Sequence, residues 1–194
     1  MILSDGEIWE LIKDNIIVFT PPLEADQVKS SAIDLRLGYS FTVYPYDVSH
    51  LPEAVRSILS QTVDLRDEAT TQQFILAMRN AYTKTLKDRD SINIPPRSFL
   101  LAETLEDFNL PEDIAGRIEG RSTYARLGLT VHQTAPSVHP GWSGQLTLEM
   151  VNNGPFTYKL YPRMRLCQLI LERLGKPIQS PDRSTWENAH YDQS

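Results

Sequence analysis

The chain has 194 residues and a mass of 22.1 kDa, with 41% hydrophobic and 23% charged residues, enough for one globular domain with a substantial core. A formal net charge of -6 argues against broad electrostatic binding of nucleic acid, although a local arginine cluster can still hold a small anion. No apolar run approaches the about 20 residues of a membrane span, the first residues lack a signal-peptide pattern, and the single cysteine, Cys167, cannot form an internal disulfide. A soluble protein of the reducing cytoplasm is the expectation.

In chain order, Ser4-Asp5-Gly6-Glu7 spells a capping box. Ile8, Trp9, Leu11 and Ile12 continue it as one apolar stripe, which predicts a short helix to about Asp14. Ile16 to Phe19 is a strand candidate stopped by Pro21-Pro22. Ala32 to Leu37 alternates as a half-buried strand does and ends at Gly38, with Phe41 to Tyr44 as its continuation or hairpin partner. Residues 47–90 read poorly. Pro52 to Leu59 suggests a helical turn or two, Val63 to Leu65 a short strand, Phe74 to Met78 either a helix or a buried strand, and Lys84 to Asp90 a charged loop.

From Ser91 onward, prolines, glycines and asparagines divide the chain at short intervals. The segments between them, Phe99–Ala102, Ile114–Glu119, Thr130–Thr134, Gln145–Asn152, Thr157–Leu160 and Arg165–Glu172, predict a sandwich or barrel of short strands. Residues 1–174 form the expected domain. Residues 175–194 are polar, carry Pro177 and Pro181, and read as a tail with little core of its own.

Two features carry candidate chemistry. Ser122 and Arg126 stand four apart after Gly120, so a helical turn there would put both on one face, with Arg121 beside them to hold phosphate oxygens. The same spacing describes a surface turn with solvated arginines. Glu149 lies opposite Leu146, Leu148 and Met150 in its strand, beside Thr147 and Val151. A carboxylate among apolar neighbours is costly to bury without a partner, while facing solvent it would be unremarked. The histidines are His50, His132, His139 and His190. The zinc-deaminase signature of His-x-Glu with Pro-Cys-x-x-Cys is absent, a His132/His139 pair is more often structural than metal-binding, and no phosphate-binding P-loop motif occurs.

Gly120-Arg-Ser-Thr-Tyr-Ala-Arg-Leu-Gly-Leu129, Val131-His-Gln-Thr-Ala135, Pro140-Gly-Trp-Ser-Gly144 and Thr147-Leu-Glu-Met-Val-Asn152 resemble the dCTP deaminases of the trimeric dUTPase superfamily. Ser4-Asp5, Ala32 to Gly38 and Leu110 to Gly116 also fit, so the resemblance covers nearly the whole chain, most weakly at residues 47–90. It implies a mainly β, distorted barrel or jelly roll of the dUTPase type with a short N-terminal helix and one or two further short helices. It also implies a homotrimer with active sites between subunits, dCTP as substrate, magnesium carried by the triphosphate, no zinc, and dTTP as a feedback inhibitor. By motif position, Glu149 would shuttle protons and Arg126 would orient its carboxylate, while Ser122 and the Ala135 carbonyl would hold the attacking water. The backbone of Thr147 and Leu148 would face the base. Arg121, Ser122, Thr123, Arg126 and Gln168 would bind the nucleotide, with the tail, His190 and Tyr191 included, closing as a lid.

Departures from the family pattern sharpen the expectation. His139 stands where an aspartate usually meets the deoxyribose hydroxyl, which weighs against hydrolysis of dUTP. Ser137 replaces an arginine, His190 a lysine, and Arg163 a glycine in the turn after Pro162. Two other readings stay open: a dUTP pyrophosphatase, alone or bifunctional, and a catalytically silent nucleotide-binding regulator on the same fold.

Overall fold

The computed structural model describes residues 1–44, 53, 56, 57, 62 and 64–179. Helix α1 (Asp5–Lys13) begins where the capping box predicts: the Ser4 amide donates to Glu7 Oε2 at 2.9 Å, and the Glu7 amide donates back to Ser4 Oγ at 3.4 Å. The Ser4 amide and then the Ser4 hydroxyl, both donating to Oε2, hold the Glu7 carboxyl below its usual range. Ile8 and Leu11 are buried from one face of the helix.

The rest is mainly antiparallel sheet. In order come β1 (Phe19–Thr20), β2 (Val28–Lys29), β3 (Ala32–Val43), helix α2 (Glu68–Tyr82), β4 (Lys84–Leu86), β5 (Ile92–Ile94) and β6 (Phe99–Asn109). Then follow β7 (Ile114–Gly120), the one-turn helix α3 (Ser122–Ala125), β8 (Leu129–Thr130), β9 (Ser137–Val138), β10 (Ser143–Asn152), β11 (Tyr158–Leu160) and β12 (Arg165–Arg173). The large sheet runs β8-β10-β6-β3-β12-β7-β9 and curls around a core that includes Ile33, Leu35, Leu37, Leu148, Met150, Leu169 and Leu171. β1, β2 and β4 add to it, while β11 and β5 pair separately. This is the mainly β, barrel-like fold that the resemblance implies.

Several local expectations are corrected, and open alternatives are resolved. Ile16 and Val18 are exposed, Ile17 and Phe19 are buried, and only Phe19–Thr20 pairs as strand, with Phe19 stacked on Phe108 at 5.3 Å; before it the Asn109 side chain, not a strand, meets the backbone of Ile16 and Val18. Phe41 to Val43 continues β3 as one strand. Residues 74–78 lie in α2, which at 15 residues is longer than the short helices expected, and Asp67 caps it by accepting from the Thr70 amide at 2.8 Å. Lys84 to Leu86 is a strand on β3 rather than loop, and the expected strand Thr130–Thr134 shrinks to Leu129–Thr130. Glu53, Arg56 and Ser57 are helical; Val63 and most of Pro52–Leu59 lie outside the described residues.

The alternating stretch at the start of β3 is not half-buried. Residues 32–38 are buried on both faces, so Asp34 and Arg36 are enclosed. Irregular pairing explains how the charges are met. Between Gln145/Asp107 and Thr147/Glu103 the β10–β6 register shifts, and the extra residues of β6 turn Glu106 inward. There it accepts from Arg36 Nε at 2.6 Å, the Arg36 amide at 2.8 Å and Gln27 Nε2 at 2.9 Å.

Candidate active site

On β10, Leu146, Leu148 and Met150 enter the core, and Glu149 faces the other way with Thr147 and Val151, as the period of the strand requires. Glu149 is half-buried opposite Leu101 of β6, and its Oε2 accepts from the Gln133 amide at 3.1 Å. Before it opens a cavity of about 230 Å³ whose walls include Leu101, His132, Ala135, Trp142 and Thr147. The wall from Val131 to Val138 is held to β7: the Ile118 amide donates to the Pro136 carbonyl at 2.8 Å, and Val138 pairs with Gly116. A Cβ at Gly116 would lie 2.8 Å from Leu169 Cδ1 and 3.1 Å from Val138 Cβ, so glycine lets the wall sit close. His139 follows β9, exposed, and its carbonyl accepts from the Trp142 amide at 3.2 Å in the Pro140-Gly141 turn.

A second cluster forms at the junction of β3, β12 and β7. Gln168 pairs with Asp34 across β12–β3 and with Glu119 across β12–β7, and Arg121 follows the end of β7. Gln168 Nε2 donates to Asp34 Oδ1 at 2.9 Å, while Arg121 Nη1 lies 3.5 Å from Asp34 Oδ2 and donates to the Arg165 carbonyl at 3.1 Å. Arg165 is itself engaged, donating to both carboxylate oxygens of Asp26 at 2.7 Å and to Glu24 at 2.6 Å. Asp26 first, and Glu24, push its guanidinium pKa up, and Arg165 in turn holds the Asp26 carboxyl below its usual range.

α3 carries the third set. Ser122, Thr123 and Arg126 are exposed, and the Arg126 amide donates to the Ser122 carbonyl at 3.1 Å, so one helical turn puts both side chains on a single edge. The sequence-predicted residues therefore divide into those that line the Glu149 cavity and those that stand apart from it. Ala135, Thr147 and Glu149 line one cavity, while Leu148, whose side chain is in the core, does not line it. None of Arg121, Ser122, Thr123, Arg126 and Gln168 lines that cavity. His190 and Tyr191 lie outside the described residues; the start of the tail is pinned by the Ile178 amide on the Glu112 carbonyl at 3.0 Å.

Asp34 is the site residue that sequence reasoning missed. An acid within the strictly alternating run Ala32 to Leu37, in the register of Arg36, was the available signal, since strands are depleted in aspartate. Burial pushes the Cys167 thiol well up, which leaves it a core side chain rather than a nucleophile. A larger cavity, about 720 Å³, lies beneath α2 and shares Leu101 and Thr147 with the first, but it holds none of the other predicted residues. Among the described residues no three His, Cys, Asp or Glu side chains group as metal ligands.

Comparison with known proteins gives a consistent result. The model of the dCTP deaminase-like family matches residues 2–174. A dCTP deaminase, dUMP-forming, of Methanobrevibacter smithii is 34% identical over 190 residues, covering 98% of this chain and 89% of that protein. A dCTP deaminase of Rhodospirillum rubrum is 34% identical over 182 residues, with 93% and 87% covered. The crystal structure of the 2'-deoxycytidine 5'-triphosphate deaminase from Agrobacterium tumefaciens shares the fold at a TM-score of 0.63 and 18% identity. It is matched over 97% of this chain, which spans 52% of that one.

Proposed function

Because the chain belongs to the dCTP deaminase-like family, we propose that it deaminates dCTP, releasing ammonia, at sites where the cavity residues of one subunit meet the residues that stand apart from them on a neighbouring subunit. The observation that carries the reading is the cavity in which Glu149, Ala135 and Thr147 converge, with the carboxylate half-buried and fixed by the Gln133 amide. A carboxylate held in a sheltered pocket can take and return a proton at the reacting atom. Glu149 removes a proton from water as its oxygen adds to C4 of the cytosine, and that proton passes to N3. A second proton, from the new hydroxyl, goes to the amino group as the C4–N bond breaks, so that ammonia leaves and a carbonyl remains.

Ser122 and the Ala135 carbonyl hold the water, and Arg126 orients Glu149. The backbone of Thr147 and Leu148 faces the base, and His139 reaches the sugar. Arg121, Ser122, Thr123 and Gln168 take the triphosphate, where guanidinium and amide donors suit phosphate oxygens. The tail with His190 and Tyr191 closes the site. In a homotrimer, the α3 edge of one chain would complete the Glu149 cavity of the next, and Leu127, beside Arg126 and 49% exposed, suits burial there. Magnesium would arrive with the triphosphate and neutralise its charge. Asp34 Oδ2, buried without a hydrogen-bond donor beside Arg121 and Gln168, is an acceptor that suits a water on the ion. dTTP, a triphosphate of the same size, would compete as an inhibitor.

The product in this reading is dUTP. A second reading, dUMP with pyrophosphate, is favoured by the dUMP-forming name of the M. smithii relative, and His139 weighs against it. Incubation with dCTP, CTP or dUTP plus magnesium, following ammonia and pyrophosphate separately, distinguishes them. Ammonia from dCTP should fall by roughly 10²- to 10⁴-fold in Glu149→Gln. Pyrophosphate alongside ammonia selects the second reading. Binding without turnover selects a silent regulator, and an undiminished Glu149→Gln rate overturns the proton-shuttle role.

A further inference from the structure

Glu149 and Val151 share one face of β10, and the ladder sets Val151 opposite Thr130 of β8. The Thr130 hydroxyl is used there as both acceptor and donor. It accepts from the Val151 amide at 3.2 Å and from Gln133 Nε2 at 3.3 Å, and it donates to the Val151 carbonyl at 3.5 Å. Gln133 is thus tied to β8 by its side chain, while its own amide donates to Glu149 Oε2 at 3.1 Å. The bonds close a ring: from Glu149 to Gln133, on to Thr130, to Val151, and back along β10 to Glu149. The same turn runs on to Ala135 in the cavity wall. A long glutamate side chain left free spreads over several rotamers, and only one that points into the cavity can meet the reacting atom.

We infer that Thr130 and Gln133 are positioning residues for the proton shuttle: the tie between their side chains holds the turn after β8, so that the Gln133 amide fixes the Glu149 carboxylate before substrate arrives. Neither side chain lines the cavity. The pair therefore acts on the rate at C4 and not on affinity for the nucleotide. The inference rests on the shuttle role proposed for Glu149. Gln133 is exposed, so its replacement leaves the core intact, and Thr130→Val removes the hydroxyl while keeping a residue that suits a strand.

Ammonia release from dCTP at steady state, calorimetric binding of dCTP and thermal unfolding are measured on the parent, Gln133→Leu, Thr130→Val, Thr130→Ser and the Gln133→Leu, Thr130→Val double variant. Gln133→Leu and Thr130→Val should each lower kcat roughly 3- to 10-fold, the change expected for one lost hydrogen bond, while Kd for dCTP stays within about twofold of the parent. The double variant should be hardly slower than the slower single variant, because the two side chains act as a unit. Thr130→Ser, which keeps the hydroxyl, should recover most of kcat. A folded single variant with the parent's kcat overturns the proposal, and so do losses that multiply in the double variant. Weaker binding at unchanged kcat overturns the rate role, and Thr130→Ser as slow as Thr130→Val overturns the part given to the hydroxyl. Gln133→Leu decides the matter if Thr130→Val does not fold. An undiminished Glu149→Gln rate, or a parent that releases no ammonia, instead overturns the reading of the site on which the inference rests.

Discussion

Among single residues, the charges inside the sheet are met by partners that arrive through register. Glu106 is fully buried against Arg36, whose side chain is 4% exposed, and three donors converge on it. Such a pair contributes little beyond an apolar substitute, but removing one member strands the other. Glu106→Ala should therefore lower stability by about 3–5 kcal/mol in chemical unfolding, and a loss under about 1 kcal/mol would contradict the enclosed pair. The same logic separates Glu149 from Asp34 in legibility. Glu149 stood out because its neighbours in β10 were apolar and a Pro-Gly turn preceded it. Asp34 sat in the polar register of an alternating run, which by itself describes a solvated face. Its enclosure comes from the curl of the sheet, which sets Gln168 of β12 and Arg121, after β7, against it, and strand periodicity carries no record of that.

Most elements with strong local signals were legible. The capping box placed α1, Phe41 to Tyr44 was open as a continuation of β3, and Gln145 to Asn152 marked the strand that bears Glu149. What failed depended on pairing rather than on composition. Ile16 and Val18 are apolar enough for a strand but are met by the Asn109 side chain rather than by a partner strand, and Lys84 to Leu86 is charged yet pairs with Val43 to Phe41. The turn after Pro162 shows a departure with a physical cost. Arg163 has φ 69, a backbone region that glycine adopts freely, and its amide donates to the Leu37 carbonyl at 2.7 Å to hold the turn. Its side chain is 62% exposed, 3.9 Å from Glu24. The strain outweighs that exposed pair, so Arg163→Gly should raise stability by about 0.5–1 kcal/mol in thermal unfolding. A loss of stability would show that the Glu24 contact matters more than the backbone.

Across the whole molecule, one curled sheet sets the Glu149 cavity and the Arg121-Asp34-Gln168 cluster in different places, with Ser122 and Arg126 on an exposed edge. The motif order was readable in the sequence; the separation of the two halves was not, because it follows from which strands the folding chain brings together. The proposal that neighbouring chains complete each site makes a direct prediction. Glu149→Gln and Arg126→Ala chains are each expected to be nearly inactive. Unfolded and refolded together in equal amounts, they should regain about a quarter of the parent rate of ammonia release from dCTP, since that fraction of sites joins an intact Glu149 to an intact Arg126. A mixture no more active than either variant alone would contradict a shared site.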